Sequence, residues 1–229
     1  MSESVRFSPA LFRFIADLTA HNDRAWFRAN KQRYEHDVRR PALQFIIEFG
    51  QHLRRISPHF RSDPRPVGGS LFRIHRDVRF SHDKSPYKDH VGIQFRHDAG
   101  KDAHAPGFYL HLQPRRCFAG VGLWRPDTAS QHRIRAAIAA DPKRWLQTLT
   151  DVGSSGVYTR HGEQLKRAPR GYDPADPLTD ELRYKEWLLV AKLTQKEITA
   201  PDFPAQLAEL FGITTPVMQF LCEALDQPF

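Results

Sequence analysis

Basic side chains are concentrated between Gly68 and His97. This stretch of 30 residues holds six Arg or Lys and four His but only three Asp. So many charged groups cannot form a core, so they must be solvated, paired with each other or used for binding. Guanidinium and ammonium groups are the side chains that hold phosphate and carboxylate most strongly. We therefore predict that this stretch forms a binding site for an anionic ligand.

The loop over residues 80–88 is the strongest candidate within this stretch. Lys84 and Lys88 lie on either side of Pro86, which stiffens the turn. With Arg73 and Arg79 on the segment before the loop, they would form a clamp for a phosphate or carboxylate. The alternative is a structural network of ion pairs that pins a long hairpin. The predicted ligand-binding residues are Arg73, Arg79, Lys84, Lys88, Tyr109, His111 and Arg170.

An enzyme that acts on a phosphorylated or acidic small molecule, or on nucleic acid, is a second interpretation. Proton transfer needs a positioned acid or base, and the candidates are Asp77, His75 and Tyr87. A small substrate requires a concave pocket, whereas nucleic acid requires an extended basic stripe with exposed aromatic rings. A third interpretation is an interaction protein whose basic face docks an acidic partner.

Histidines are frequent in the middle of the chain, and His75 and His111 are expected on the polar faces of neighbouring strands. The sequence contains no HExxH motif, and its two cysteines form no CxxC pair. It also contains no GxSxG nucleophile motif. We therefore predict no metal site and no cofactor. The histidines considered as metal ligands are His75, His90, His97, His104 and His111.

The charge of the chain is uneven along its length, although the formal net charge is +8. Residues 1–170 carry 30 Lys and Arg against 16 Asp and Glu, whereas residues 171–229 carry 4 against 10. This distribution fits a basic surface that meets phosphates. It fits equally an acidic C-terminal part that packs against the basic body. Both interpretations stay open, and the oligomeric state is not predicted.

Membrane insertion is not expected from the composition. The N-terminus lacks the apolar segment of a signal peptide, and no run approaches the roughly 18 apolar residues of a membrane-spanning helix. Hydrophobic residues make up 40% of the chain and charged residues 26%, which is typical of globular proteins. We expect a cytoplasmic protein with no membrane partner.

Three parts of the chain, residues 8–57, 70–124 and 127–226, differ in their apolar spacing. The first is helical, the second alternates as strands do, and the third is mainly helical. Short connections favour an antiparallel meander, because parallel neighbours need long crossovers. Residues 57–70 and 153–180 are rich in Pro and Gly and are expected to be irregular. Strands are predicted at residues 71–80, 90–97, 107–113, 116–124 and 186–193.

The predicted strands each have one apolar and one polar face, so the helices should cover mainly one side of the sheet. The sequence thus predicts a single α+β domain over residues 1–229, with an antiparallel β-meander sheet and helices packed mainly on one face. The other face would be open to a ligand. It is expected to carry Arg73, His75, Asp77, Arg79, Tyr109 and His111.

Six segments of the chain are similar to one known family. They are FSPALFRFIADLTAHNDRAWFRANKQRYEHDVRRP, GGSLFRIHRDVRFSHDKSPYKDHVGIQFRH, HAPGFYLHLQP, GVGLWRP, LKRAPRGYDPADP and LRYKEWL. In combination they resemble bacterial and fungal proteins grouped as conserved hypothetical proteins with a domain of unknown function. The resemblance implies a single α+β domain, and it implies no particular activity, cofactor or catalytic residue.

Overall fold

A six-stranded antiparallel sheet forms the centre of the molecule. The structure is a computed structural model that describes residues 6–79, 81–99 and 105–229. Phe80 and His104, which entered the predictions above, lie outside these ranges. The strands run in the order β1-β2-β3-β4-β6-β5. Their bounds are β1 Phe60–Arg61, β2 Val91–His97, β3 Gly107–Leu112, β4 Cys117–Leu123, β5 Tyr158–His161 and β6 Trp187–Leu193.

Helices make up most of the chain on both sides of the strand-rich middle. Several begin at side-chain caps: Ser8, Asp23 and Asp127 each accept a hydrogen bond from an N–H in the first turn. A π-helical segment, Tyr34–Arg39, joins two of the helices. The bounds are α1 Pro9–Ala20, α2 Arg24–Ala29, α3 Lys31–Arg33, α4 Arg40–Ile56, α5 Thr128–Ala140, α6 Pro142–Gly153, α7 Thr179–Leu182, α8 Gln195–Ile198, α9 Phe203–Ile213 and α10 Thr215–Ala224.

One face of the sheet, the first face, packs against helices through aromatic rings. The ring of Phe49 in α4 lies 4.9 Å from that of Phe95 in β2 and 5.9 Å from that of Phe211 in α9. Phe108 in β3 lies 4.7 Å from Phe211. All four rings are fully buried, so they join the N-terminal helices, the sheet and the C-terminal helices in one core.

The opposite face of the sheet, which we call the second face, carries the alternate residues of the same strands. Register pairs Gly92 with His111 and Tyr109 with Gly120, which places these residues side by side on that face. In the outer strands β5 and β6 this face is exposed to solvent, at Thr159, His161 and Lys192. The fold is therefore α+β with an antiparallel sheet, as the sequence predicted.

The strand predicted at residues 71–80 is wrong. In residues 71–79, the part of this segment that the structure describes, only isolated bridges form, between Leu71 and Ile93 and between His75 and Tyr87. The chain leaves the edge of β2 after Phe72 and folds back on itself, because its backbone groups find partners in residues 86–88. Two short strands, β1 and β5, instead form in segments that were predicted to be irregular. Within the described ranges, none of the helices combines the length and apolar character that crossing a bilayer requires.

Candidate functional site

The basic hairpin over residues 73–88 is pinned to the N-terminal helices. Its two arms are joined by hydrogen bonds from Arg76 N to the Pro86 carbonyl and from Lys88 N to the Ile74 carbonyl. Tyr87 is 5% exposed and stacks on Phe27 with the ring centroids 4.2 Å apart. Asn22 binds both the N–H and the carbonyl of Tyr87, at 3.0 Å each. Tyr87 therefore anchors the hairpin.

The tip of the hairpin holds cations that are already engaged. The Arg79 guanidinium binds the Asp77 carboxylate, with Nη2 2.7 Å from Oδ2, and Arg76 binds Asp83. The bond from Arg79 lowers the pKa of Asp77 to about 2. Lys84 donates its Nζ to the Val78 carbonyl over 3.0 Å. The network interpretation thus fits the tip, where each of these cations already has a partner.

The base of the hairpin is different, because no carboxylate among the described residues forms an ion pair with its cations, although the charge of Arg73 helps to lower the pKa of Asp77. Lys88 Nζ donates to the Arg73 carbonyl over 2.7 Å and lies 5.4 Å from the centre of the Phe72 ring. Burial lowers the pKa of Lys88, and the charge of Arg73 lowers it further. Two positive charges therefore lie close together beside the sheet.

A row of hydrogen bonds crosses the adjacent part of the second face. Gln113 Nε2 donates to Asp89 Oδ2 over 2.9 Å, so its Oε1 accepts from His111 Nε2 at 3.1 Å. The other nitrogen of His111, Nδ1, then accepts from the Tyr109 hydroxyl over 3.2 Å. The row is thus directional and runs from the phenol of Tyr109 to the carboxylate of Asp89.

Aromatic stacking holds this row in place. His111 lies between two rings, those of Phe118 at 4.6 Å and His90 at 4.4 Å. Gly92 makes room for the phenol of Tyr109, since a β-carbon at that position would lie 2.7 Å from the hydroxyl oxygen and 3.0 Å from Phe72. Packing against these neighbouring side chains therefore fixes the positions of Tyr109 and His111.

Two members of the row, the imidazole of His111 and the phenol of Tyr109, are uncharged near neutral pH. Burial lowers the pKa of His111 to about 4, and the charges of His90 and Arg116 act in the same direction. Burial raises the pKa of Tyr109. Arg116 is exposed and has no carboxylate partner among the described residues. The second face thus holds a neutral, almost fully buried imidazole and a neutral phenol near Arg116, with the Arg73–Lys88 pair beside the same part of the sheet.

A family model described as conserved hypothetical protein (DUF2461) matches residues 10–220, which include the whole sheet and the hairpin. The chain belongs to this family. No curated protein was found to be a relative of it. Because the description of the DUF2461 family states no activity, the function has to be argued from the site itself.

The structure of this DUF2461 protein brings together part of the predicted site. Arg73 and Lys88 lie at the base of the hairpin, next to the part of the second face that holds Tyr109 and His111. Arg79 and Lys84 lie at the hairpin tip. Arg170 lies in a different segment, in a turn closed by a bond from Tyr172 N to the Pro169 carbonyl.

Of the three candidates for proton transfer, His75 and Tyr87 lie side by side, whereas Asp77 lies at the hairpin tip. Asp77 is paired with Arg79, and Tyr87 is buried against Phe27. His75 is exposed beside both rings, 6.3 Å from Phe27 and 5.2 Å from Tyr87. Their catalytic roles stay predictions.

Sequence reasoning missed several residues of the site. They lie on the second face, beside the strand ends nearest the hairpin. Polar residues at or just outside the ends of the predicted strands were the signal that could have revealed them. These residues are Asp89, Gln113 and Arg116, together with His90, which the sequence suggested only as a metal ligand.

Acid is expected to destabilise the protein through His111. The unfolded chain takes up a proton on this residue near pH 6.5, whereas the folded protein does so only near pH 4. The stabilisation that neutral His111 gives the folded protein is therefore present above pH 6.5 and is lost as the pH falls to about 4. The free energy of unfolding should fall by on the order of 2–3 kcal/mol over this range. Urea unfolding at several pH values should show this loss, reduced in His111→Asn.

His132→Asn is the matched control, because His132 is exposed on α5 and should leave the pH profile of the wild type unchanged. An equal acid loss in wild type and His111→Asn would contradict the role of His111.

Proposed function

We propose that this protein binds an anionic ligand, bearing a phosphate or carboxylate, at the base of the basic hairpin and the adjacent second face. The observation that carries the proposal is the juxtaposition of three cations with the neutral imidazole and phenol of the hydrogen-bonded row. Arg73, Lys88 and Arg116 have no carboxylate partner within the described residues. The row from Tyr109 to Asp89 lies beside them.

Physical chemistry favours an anion here over a neutral ligand. The lowered pKa of Lys88 means that its charge is held at a cost, which a bound anion would offset. Arg73 and Arg116 each supply a planar fork that fits two oxygens of one phosphate or carboxylate. Asp89, the nearby carboxylate, already binds Gln113 and His90.

Pyrophosphate titrated by calorimetry tests this function. Arg73→Gln and Arg116→Gln should each weaken binding at least about tenfold, because each removes a charge-assisted contact. The double variant should lose at least about a hundredfold. Arg55→Gln is the control, since Arg55 is exposed in the last turn of α4, away from the hairpin, and should bind as the wild type does.

Unchanged affinity in the double variant would reject the site, provided that its circular dichroism and melting curve match the wild type. A short oligothymidylate is the second probe. Strong binding of the oligonucleotide that falls steeply between about 50 and 200 mM salt would favour nucleic acid as the ligand. Salt-tolerant binding of pyrophosphate would favour a small molecule. An acidic protein partner is a further alternative to these two kinds of ligand. We propose that the protein binds its ligand, whichever of the three it is, in the cytoplasm.

An enzyme acting on an anionic substrate is the second candidate, and the hydrogen bond between Tyr109 and His111 favours it. His111 is neutral at pH 7, and its Nδ1 accepts the hydrogen bond of the Tyr109 phenol, which stays protonated and could donate a proton to a substrate. Asp77, proposed for this role from the sequence, is a weak base because of its bond to Arg79. Turnover that is lost in both Tyr109→Phe and His111→Asn would support catalysis on this face.

A further inference from the structure

A second group of ligating side chains lies at the far end of β2. His59 precedes β1, whereas His97 and Asp98 are found where β2 ends. Nδ1 of His97 is 3.5 Å from Asp98 Oδ1, and Nδ1 of His59 is 3.9 Å from Asp98 Oδ2. One ligand atom from each residue lies within 4.8 Å of the other two. Three donors thus surround one point.

Backbone contacts hold these three residues in place. Asp98 N donates to the His59 carbonyl over 2.7 Å, which fixes the two segments against each other. Phe60 pairs with His97 in the sheet register, and its ring lies edge-on to His97 at 5.2 Å. The His97 side chain is fully buried, whereas those of His59 and Asp98 are 32% and 38% exposed. The cluster is therefore rigid on one side and reaches solvent on the other.

The tautomer of His97 suits a metal ligand. Its Nε2 lies 2.7 Å from the carbonyl oxygen of Pro228, which can only accept, so Nε2 carries the proton. Nδ1 is therefore unprotonated, and it lies 3.5 Å from Asp98 Oδ1. Metal-binding histidines commonly donate their other N–H to a backbone carbonyl in this way.

We propose that His59, His97 and Asp98 bind a divalent transition-metal ion of the Zn²⁺ class. Two imidazoles and one carboxylate form a ligand set that suits Zn²⁺ and its neighbours better than Mg²⁺ or Ca²⁺, which prefer oxygen. The exposed side leaves room for water to complete the coordination. The donors, which lie up to 4.8 Å apart, would close in by up to about 1.4 Å, because bonds of about 2.1 Å place neighbouring ligands roughly 3.4 Å apart.

One contact limits the affinity. The N–H of Ala99 donates to His97 Nδ1 over 3.1 Å, so a metal ion competes with it for the same lone pair. We therefore expect micromolar rather than nanomolar binding. A bound ion would tie the start of β1, the end of β2 and, through Pro228, the C-terminal residues together.

This site is independent of the proposed anion site. The two lie at opposite ends of β2, a strand of seven residues, and so are about 20 Å apart. Loss of one should leave the other intact, and the two proposals can fail separately.

Calorimetry of the EDTA-treated, dialysed protein with Zn²⁺, in a buffer that does not chelate it, tests the site. We expect one ion per chain with a dissociation constant of about 10 µM or below. His59→Gln and Asp98→Asn should each weaken binding at least about tenfold, because both side chains are partly exposed and can change without unfolding the chain. Co²⁺ should give visible absorption bands that the same variants lose.

Controls separate this site from the other histidines, since the chain has 12 of them. His132→Gln should bind Zn²⁺ as the wild type does, and Mg²⁺ should not compete. The proposal is overturned if wild-type binding is weaker than about 100 µM. It is overturned equally if His59→Gln and Asp98→Asn leave the affinity unchanged, because the Zn²⁺ is then held elsewhere.

Discussion

Gly122→Ala is expected to destabilise the protein by at least about 4 kcal/mol and to leave little folded protein. Gly122 has a φ of +120°, a backbone conformation that other residues adopt only with strain. A β-carbon there would lie 1.9 Å from the Trp187 carbonyl oxygen, in the neighbouring strand. The clash is with backbone, so no side-chain rotation can relieve it. β4 and β6 would have to separate.

Gly120→Ala is the matched control for this prediction. Gly120 lies on the same face of the same strand, but the nearest atoms to an added β-carbon are 3.8 Å away, in Phe118 and Tyr109. We expect a change within about 1 kcal/mol in urea unfolding. If Gly122→Ala unfolds at the same urea concentration as Gly120→Ala, the register of β4 against β6 is wrong.

Phe49→Ala is expected to cost about 3–5 kcal/mol, the range for removing a large buried aromatic side chain. Phe49 is fully buried, and its ring contacts Phe45, Phe95 and Phe211. Removing it leaves a cavity at the point where α4, α9 and the sheet meet. Thermal and urea unfolding should both show the loss, without a change in anion binding by the protein that remains folded.

The neighbouring residue Ile47 supplies the control, because it lies on the outer side of the same helix and is 56% exposed. Ile47→Ala should change the free energy of unfolding by no more than about 0.5 kcal/mol. A loss as large as that of Phe49→Ala would mean that the outer face of α4 is covered in solution, for example by another copy of the chain.

The aromatic core and the proposed binding site lie on opposite faces of the sheet. The first face is filled by aromatic rings from the helices, so changes there act on folding. The second face carries Tyr109, His111 and the nearby cations, so changes there should act on binding. This separation explains why Arg73→Gln and Arg116→Gln are expected to weaken binding while the fold is kept.

The fold class could be predicted because its signals are local. Alternation in residues 90–97, 107–113, 116–124 and 186–193 predicted four strands that the structure contains, and capping at Ser8 marked the first helix. The prediction at residues 71–80 failed because alternation alone does not show where backbone hydrogen bonds go. There they go to residues 86–88 and to the edge of β2 rather than into a continuous strand.

By itself, the sequence determined the α+β class, the antiparallel sheet and the concentration of cations near residues 73–88, since periodicity and composition can be read within short windows. Only the tertiary structure decided which cations are paired, as Arg79 is with Asp77, and which are left beside the sheet, as Arg73 is. It alone placed Arg116 near His111, and His59 beside His97. These contacts depend on strand register and chain reversal, which the local spacing of residues does not reveal.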